Sequence, residues 1–304
     1  MKAITCRKSG TADVLRLEEI GKPVPQDNEM IVKVKAATVT IGDVLLRKMP
    51  RIVLIPLGMM FGFKVKTVPG TEFAGVVEST GKDVKLFKAG DEVFGTTTGL
   101  RTGGNSQYIC IPERWKQGVV AVKPGAVPFE EAAALPVGGM TAMYLLNKVN
   151  IRKGCKVLVY GASGSVGTYA VQLAVYFGAD VTGVCSTDNM DMVGSLGAAR
   201  VIDYTKEDFR KNGESYDVIF DAVGKIRRSA CEKSLAKDGS YVSVRKPTKE
   251  KTDYLVFLGN LAAEGKIRAV IDRRYPLEQV PEAHRYVEKR HKRGNVVITF
   301  DQTD

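Results

Sequence analysis

Histidine and cysteine are scarce in this chain, with two of the first and five of the second in 304 residues. The cysteines (Cys6, Cys110, Cys155, Cys185 and Cys231) are odd in number, scattered, and never spaced as C-x-x-C. Neither a disulfide framework nor a structural zinc knuckle is therefore indicated. With only His284 and His291 present, a His-based metal site or triad is hard to assemble, and the chemistry is expected to come from a cofactor. Long apolar runs are missing too. The nearest, residues 52–63, is broken by Pro56, Gly58 and Gly62 and falls short of the roughly 20 residues that cross a bilayer. The first residues show no apolar h-region and no cleavage site, so a cytoplasmic protein is expected. Internal repeats and low-complexity segments are absent from the sequence.

What is in excess is positive charge, +11 in all. The basic residues are spread along the chain, and the one dense run is Lys289-Arg290-His291-Lys292-Arg293. It reads as a solvated helix end and loop in preference to a nucleic-acid patch. Excess positive charge also concentrates an anionic cofactor without needing a second function.

The length predicts two domains. Segments 31–36, 75–78 and 107–111 alternate as strands, and Gly/Pro pairs such as Pro69-Gly70 mark turns between them, which predicts a small barrel-like domain. From Pro128 the texture changes. Helical stretches at 128–135, 141–149, 167–177 and 190–196 alternate with strands at 156–160, 180–185, 201–203, 217–221 and 240–244. That spacing predicts a doubly wound parallel sheet.

Within it, Val157-Leu158-Val159-Tyr160 is followed at once by Gly161-Ala162-Ser163-Gly164-Ser165-Val166-Gly167 and then by a helix. Gly161 permits a tight turn, Gly164 lets the backbone approach a pyrophosphate, and Gly167 lets the helix pack on the strand. The helix N-terminus offers N–H groups and partial positive charge to the phosphates. A strand–turn–helix context makes this a dinucleotide site in preference to a structural turn. About 20 residues past the glycines an acid would select NAD. Ser186 and Thr187 stand there instead and can donate to a 2′-phosphate, which favours NADPH; Asp188, just beyond, leaves NADH open.

In its ordered blocks the chain resembles the medium-chain dehydrogenase/reductase superfamily, in its zinc-independent quinone oxidoreductase and enone reductase branch. The blocks include Pro69-Gly70-Thr71-Glu72-Phe73-Ala74-Gly75, Ala89-Gly90-Asp91-Glu92-Val93-Phe94-Gly95 and Ala134-Leu135-Pro136-Val137-Gly138-Gly139-Met140-Thr141. Beyond the glycine turn come Val201-Ile202-Asp203-Tyr204, Asp217-Val218-Ile219-Phe220-Asp221-Ala222-Val223-Gly224 and Gly294-Asn295-Val296-Val297. The resemblance implies an α/β fold: a GroES-like β-rich catalytic domain at 1–124, completed by 266–304, plus a Rossmann domain at 125–265. It also implies Thr141 near the nicotinamide, Tyr204 near the adenine, and Val223 and Asn295 along the cofactor. Zinc-dependent relatives carry a Cys near residues 40–43 and a His before the acid of the Gly70 block. Here Thr40 and Thr71 stand instead, and Glu72 alone cannot hold a catalytic zinc, which needs about three protein ligands. Between Val244 and Tyr254 the chain is also short of one helix and strand, so the last sheet edge is curtailed. Many relatives dimerise through that edge, which leaves a homodimer open.

Without zinc, the expected reaction is direct hydride transfer to a lipophilic quinone or α,β-unsaturated carbonyl, with the proton from water or from one of Asp43, Arg47 and Tyr108. Asp43 reads equally as a turn or cap residue. Residues 52–63 read as ordinary core or as an apolar wall for a lipophilic substrate. Since some relatives bind RNA, the alternative is an NADPH-binding, RNA-associated protein with little turnover.

Overall fold

The computed structural model describes residues 1–61, 67–100 and 102–300. The path begins with β1 (Lys2–Cys6), β2 (Leu15–Glu19), β3 (Glu29–Thr38), α1 (Ile41–Lys48) and α2 (Arg51–Phe61). It continues through β4 (Glu72–Thr80), β5 (Glu92–Thr96), β6 (Tyr108–Pro112), β7 (Val120–Val122), α3 (Phe129–Ala134) and α4 (Pro136–Leu146). Strands and helices then alternate: β8 (Lys156–Tyr160), α5 (Ser165–Tyr176), β9 (Asp180–Cys185), α6 (Met190–Ser195), β10 (Arg200–Asp203) and β11 (Tyr216–Asp221). After α7 (Arg228–Cys231) and β12 (Leu235–Ser243) come α8 (Thr252–Ala263), β13 (Ile271–Pro276), α9 (Val280–Glu288) and β14 (Asn295–Thr299).

Contacts gather these elements into two compact units. The first holds Met1–Pro136, Glu250–Ala263 and Ile271–Asp304; the second holds Val137–Lys249 and Glu264–Val270. These bounds differ from the divisions expected at 124/125 and 265/266. The physical reason is packing: α3 lies on β3, β4 and β14, and α8 lies on β7. A Cβ on Gly259 of α8 would stand 3.0 Å from Phe94, so helix and sheet approach closely there.

The first unit is built on a sheet of order β13-β14-β3-β4-β5-β7, with β6 also on β3, and a separate β1-β2 hairpin. Its core includes Ile4, Met30, Phe73, Ile109, Val296 and Ile298, all fully buried. The second unit is the expected parallel sheet, of order β10-β9-β8-β11-β12. Leu158, Val184, Ile202 and Ile219, on four neighbouring strands, belong to one buried cluster, as strands covered by helices require. The order reverses beside β8, and such a switch point opens a crevice at the carboxyl ends of the strands. No sixth strand extends this sheet beyond β12 among the described residues, in keeping with the curtailed edge.

The apolar run at 52–63 forms α2 over its described part; Gly62 and Phe63 lie outside the described residues. Leu54 and Gly58 are buried, but Ile52, Val53, Ile55, Met59 and Met60 are exposed. Ordinary core therefore does not describe this segment. Among the described residues no helix is long and apolar enough to cross a membrane.

Candidate cofactor and active site

The second unit shapes the turn after β8 with backbone alone. Gly161 adopts φ +81°, and a Cβ there would stand 2.6 Å from a Val223 methyl. At Gly167 a Cβ would fall 2.1 Å from the Gly161 carbonyl oxygen, so only glycine lets α5 start directly against the turn. Gly164 differs from both. Its φ of −81° suits any residue, and a Cβ would meet nothing nearer than the Gly161 oxygen at 3.6 Å. Neither packing nor conformation demands a glycine there; the space above its backbone is open.

That space adjoins the N-terminus of α5, which has no side-chain cap and no acid in its first turn. Helices ordinarily satisfy these N–H groups with a cap or an anion. Ser163, Gly164, Ser165 and Val166 are all partly accessible. An open glycine backbone facing an uncapped positive helix end fits the diphosphate of a dinucleotide.

The neighbouring strand ends carry the other candidates of this unit. Val223 follows β11, where the buried Asp221 carboxylate accepts from the Val223 and Gly224 amides at 3.2 and 2.8 Å and from Ser243 at 3.0 Å. Ser186 follows β9, and its hydroxyl oxygen accepts from the Asn189 side-chain amide at 2.9 Å. Thr187 is committed otherwise: its hydroxyl donates to Asp203 at the end of β10. The Thr187 hydroxyl proton expected to meet a 2′-phosphate is engaged in this internal bond, whereas the Ser186 bond uses that hydroxyl's oxygen. Asp203 also accepts from the Thr205 amide and hydroxyl at 2.9 and 2.7 Å and lies 3.6 Å from Lys206. The Thr187 hydrogen bond, aided by Thr205 and Lys206, pushes its carboxyl down to about 2. This carboxylate is fully engaged and poorly placed to accept from a ribose diol. Beside it, a cavity of about 620 Å³ is lined by Tyr160, Tyr204, Lys206, Phe209, Arg210 and Ile226. Thr141 lies on α4 of the same unit, whereas Asn295 begins β14 in the first unit, where it is buried.

In the first unit, Asp43 is the third residue of α1 and closes a capping box with Thr40. Its carboxylate accepts from the Thr40 amide and hydroxyl at 2.8 and 2.6 Å and from Thr71 at 2.8 Å. The structural reading of Asp43 is therefore the one the geometry supplies. Arg47, one turn on, is buried and pairs with Glu288 of α9 at 2.7 Å. Tyr108 sits apart, on β6 opposite Lys33, with the Lys22 ammonium 4.1 Å from its ring centre. The three proposed proton donors do not form one cluster of hydrogen bonds. Glu72 is buried and accepts from Thr38. Among the described residues no group of three or more His, Cys, Asp or Glu is placed to hold a metal ion.

Several groups escaped the sequence reading. His284 of α9 is fully buried, and neither ring nitrogen has a hydrogen-bond partner among the described residues. Burial pulls it down to about 4, aided by Arg47 and opposed by the charges of Asp43 and Glu288. Lys292 donates to the Gly294 carbonyl, and burial lowers it to about 8 against the pull of Glu72 and Asp272. Asp203 and Lys206 were visible in sequence only as neighbours of Tyr204.

Residues 26–148 match the alcohol dehydrogenase GroES-like domain, and residues 196–255 and 245–298 match the zinc-binding dehydrogenase domain. The chain is 33% identical to the 2-methylene-furan-3-one reductase of Solanum lycopersicum, over 98% of this chain and 79% of that one. It is 31% identical to a chloroplast envelope quinone oxidoreductase homolog of Arabidopsis thaliana, over 95% of each chain. Among solved structures, the quinone oxidoreductase of Coxiella burnetii superposes with a TM-score of 0.82 at 27% identity, over 98% of this chain and 99% of that one.

Proposed function

Because the chain belongs to the medium-chain dehydrogenase/reductase superfamily, in its quinone and enone oxidoreductase branch, and is a nicotinamide-dependent oxidoreductase, we propose that it reduces quinones or α,β-unsaturated carbonyls with NADPH and without zinc. The observation that carries this reading is the open backbone at Gly164 beside the uncapped start of α5. The bound nicotinamide would supply a hydride to the electron-poor carbon or quinone oxygen of the substrate. The residues of the chain bind and orient. The turn at 161–167 takes the diphosphate, Val223 lies along the cofactor beside that turn, Thr141 lies near the nicotinamide and Tyr204 near the adenine. The place of Asn295 along the cofactor rests on the resemblance alone.

The preference for NADPH rests on the end of β9, where an NAD-selective site needs a carboxylate to accept from the ribose diol and Ser186 and Thr187 stand instead; the nearby Asp203 carboxylate, at the end of β10, is taken by Thr187, Thr205 and Lys206. Ser186 and the Lys206 ammonium remain to meet a phosphate. The zinc-free reading rests on donor chemistry: Thr40 and Thr71 are weak ligands, and Thr71 donates to Asp43. With Asp43 and Arg47 tied into the packing of α1, the proton comes from water. The comparisons give the RNA-associated alternative no support.

The test is a turnover panel of quinones and enones run with NADPH and with NADH, following cofactor absorbance. Oxidation of NADPH at least tenfold more efficient than of NADH, unaffected by chelator, is expected. Tight NADPH binding with no oxidation across the panel would overturn the enzymatic reading.

A further inference from the structure

Strand β11 ends on Asp221, whose carboxylate is fully buried. Its hydrogen-bond partners are backbone amides and hydroxyls, with no cation among them. Burying such a group is costly unless hydrogen bonds replace its water. The two oxygens divide the work. Oδ1 accepts from the Val223 and Gly224 amides at 3.2 and 2.8 Å, whereas Oδ2 accepts from Ser243 at 3.0 Å and stands 3.2 Å from the Tyr241 phenol. One oxygen thus holds the loop that leaves β11, and the other holds the neighbouring strand β12.

That loop is tied at every step. The Ala222 amide donates to the Tyr160 carbonyl at 2.9 Å, and Gly224 turns the chain with φ +68°. Arg245 Nε donates to the Gly224 carbonyl at 2.5 Å, and the Tyr241 phenol donates to the Ile226 carbonyl at 2.7 Å. The side chains, by contrast, are not packed away. Val223 is 42% exposed and abuts the glycine turn, where a Cβ on Gly161 would stand 2.6 Å from its methyl. Ile226 lines the cavity of about 620 Å³ that Tyr160 and Tyr204 also line. A backbone fixed this fully, with side chains left facing open space, is built to present those side chains to a ligand.

We propose that Asp221 is a positioning residue for the dinucleotide: it fixes the loop 222–226 so that Val223 forms a wall beside the turn at 161–167. This role rests on the reading of that turn as the diphosphate site. Asp221 itself touches no reacting atom, so its effect falls on cofactor affinity and not on hydride transfer.

The test measures NADPH affinity by fluorescence titration, amide hydrogen exchange across 222–226, and steady-state kinetics with a small enone. Asp221→Ala frees both the loop and β12. Exchange in that segment should become about tenfold faster, and NADPH should bind about tenfold more weakly. The KM for the enone and kcat at saturating NADPH should stay within about twofold of the parent. Asp221→Asn keeps an oxygen for the two amides and can turn its NH2 toward Ser243, so it should recover most of the affinity. Tyr241→Phe releases only the Ile226 end and should fall between the parent and Asp221→Ala; it decides the question if Asp221→Ala does not fold. Val218→Ala, a cavity-forming change at a buried position of the same strand, should lower stability and leave NADPH affinity unchanged. The positioning role is overturned by unchanged exchange, by faster exchange with unchanged affinity, or by a Val218→Ala variant that loses affinity in proportion to stability. A parent chain that does not bind NADPH overturns the cofactor reading and this role with it. A parent that binds NADPH and turns nothing over overturns only the enzymatic reading, and the exchange and affinity measurements still decide the role of Asp221.

Discussion

At the end of β8 and at the start of α1 the chain makes two dense corners by opposite means. The first is built from backbone: three glycines within seven residues, one with a left-handed φ, one excluding any side chain, one leaving space open. The second is built from side chains: Asp43 holding Thr40 and Thr71, Arg47 on Glu288, and His284 buried alongside without a hydrogen bond of its own. A backbone corner leaves its N–H groups and its surface available to a ligand. A side-chain corner uses its polar groups to hold itself together, so the residues there that look chemically able are already engaged with one another. Substitution should therefore hit the two corners differently.

Gly167→Ala should have the largest effect. Its methyl would sit 2.1 Å from a carbonyl oxygen that neither the turn nor α5 can easily withdraw. A loss of about 3 kcal/mol or more in urea unfolding is expected, at a position with no charge and no hydrogen-bonding side chain. A near-neutral Gly167→Ala would mean that the turn yields, and the rigid-backbone account would fail.

The side-chain corner should respond to pH instead. His284 is held near 4 by burial, against about 6.5 in the unfolded chain. The unfolded state therefore takes up a proton first as pH falls, and stability present above about pH 6.5 is lost progressively toward pH 4. Between pH 7 and pH 5 this amounts to about 2 kcal/mol. Urea titrations at the two pH values should show it, and His284→Gln should remove most of the difference. An unchanged slope in that variant would assign the acid sensitivity to another group.

How far each corner could be read from sequence follows from the same contrast. The glycine turn is legible because its reasons are local: strand, turn and helix follow within about twenty residues, and each glycine has one physical job. The parallel sheet was legible for the same reason, through alternation of short apolar runs and helices. Arg47 was not, because its partner Glu288 lies 241 residues away. The engagement of Thr187 was not legible either, for want of a contact sixteen residues on: sequence shows a hydroxyl at the end of β9, and the fold gives that hydroxyl to Asp203. Helix α2 defeats a reading by composition outright. A run that is apolar on all sides cannot say which side meets the protein, and only the fold shows Leu54 inward and Ile52 outward.

The finest distinction lies within the backbone corner itself, at Gly164. If every glycine of the turn were there for shape, Gly164→Ala would destabilise as Gly167→Ala does. Its φ is ordinary, and the new methyl would lie 3.6 Å from its nearest neighbour, at normal contact distance. Alanine is a poorer helix N-cap than glycine, but it also restricts the unfolded chain, and the two effects are of similar size and opposite sign. Stability should therefore stay within about 0.5 kcal/mol of the parent. The methyl would, however, occupy the space through which a diphosphate reaches the first amides of α5. NADPH affinity, read by fluorescence titration, should fall about tenfold, equivalent to about 1.4 kcal/mol. A variant that is stable and binds poorly makes Gly164 a ligand glycine. One that binds normally, whatever its stability, would move the cofactor off this turn.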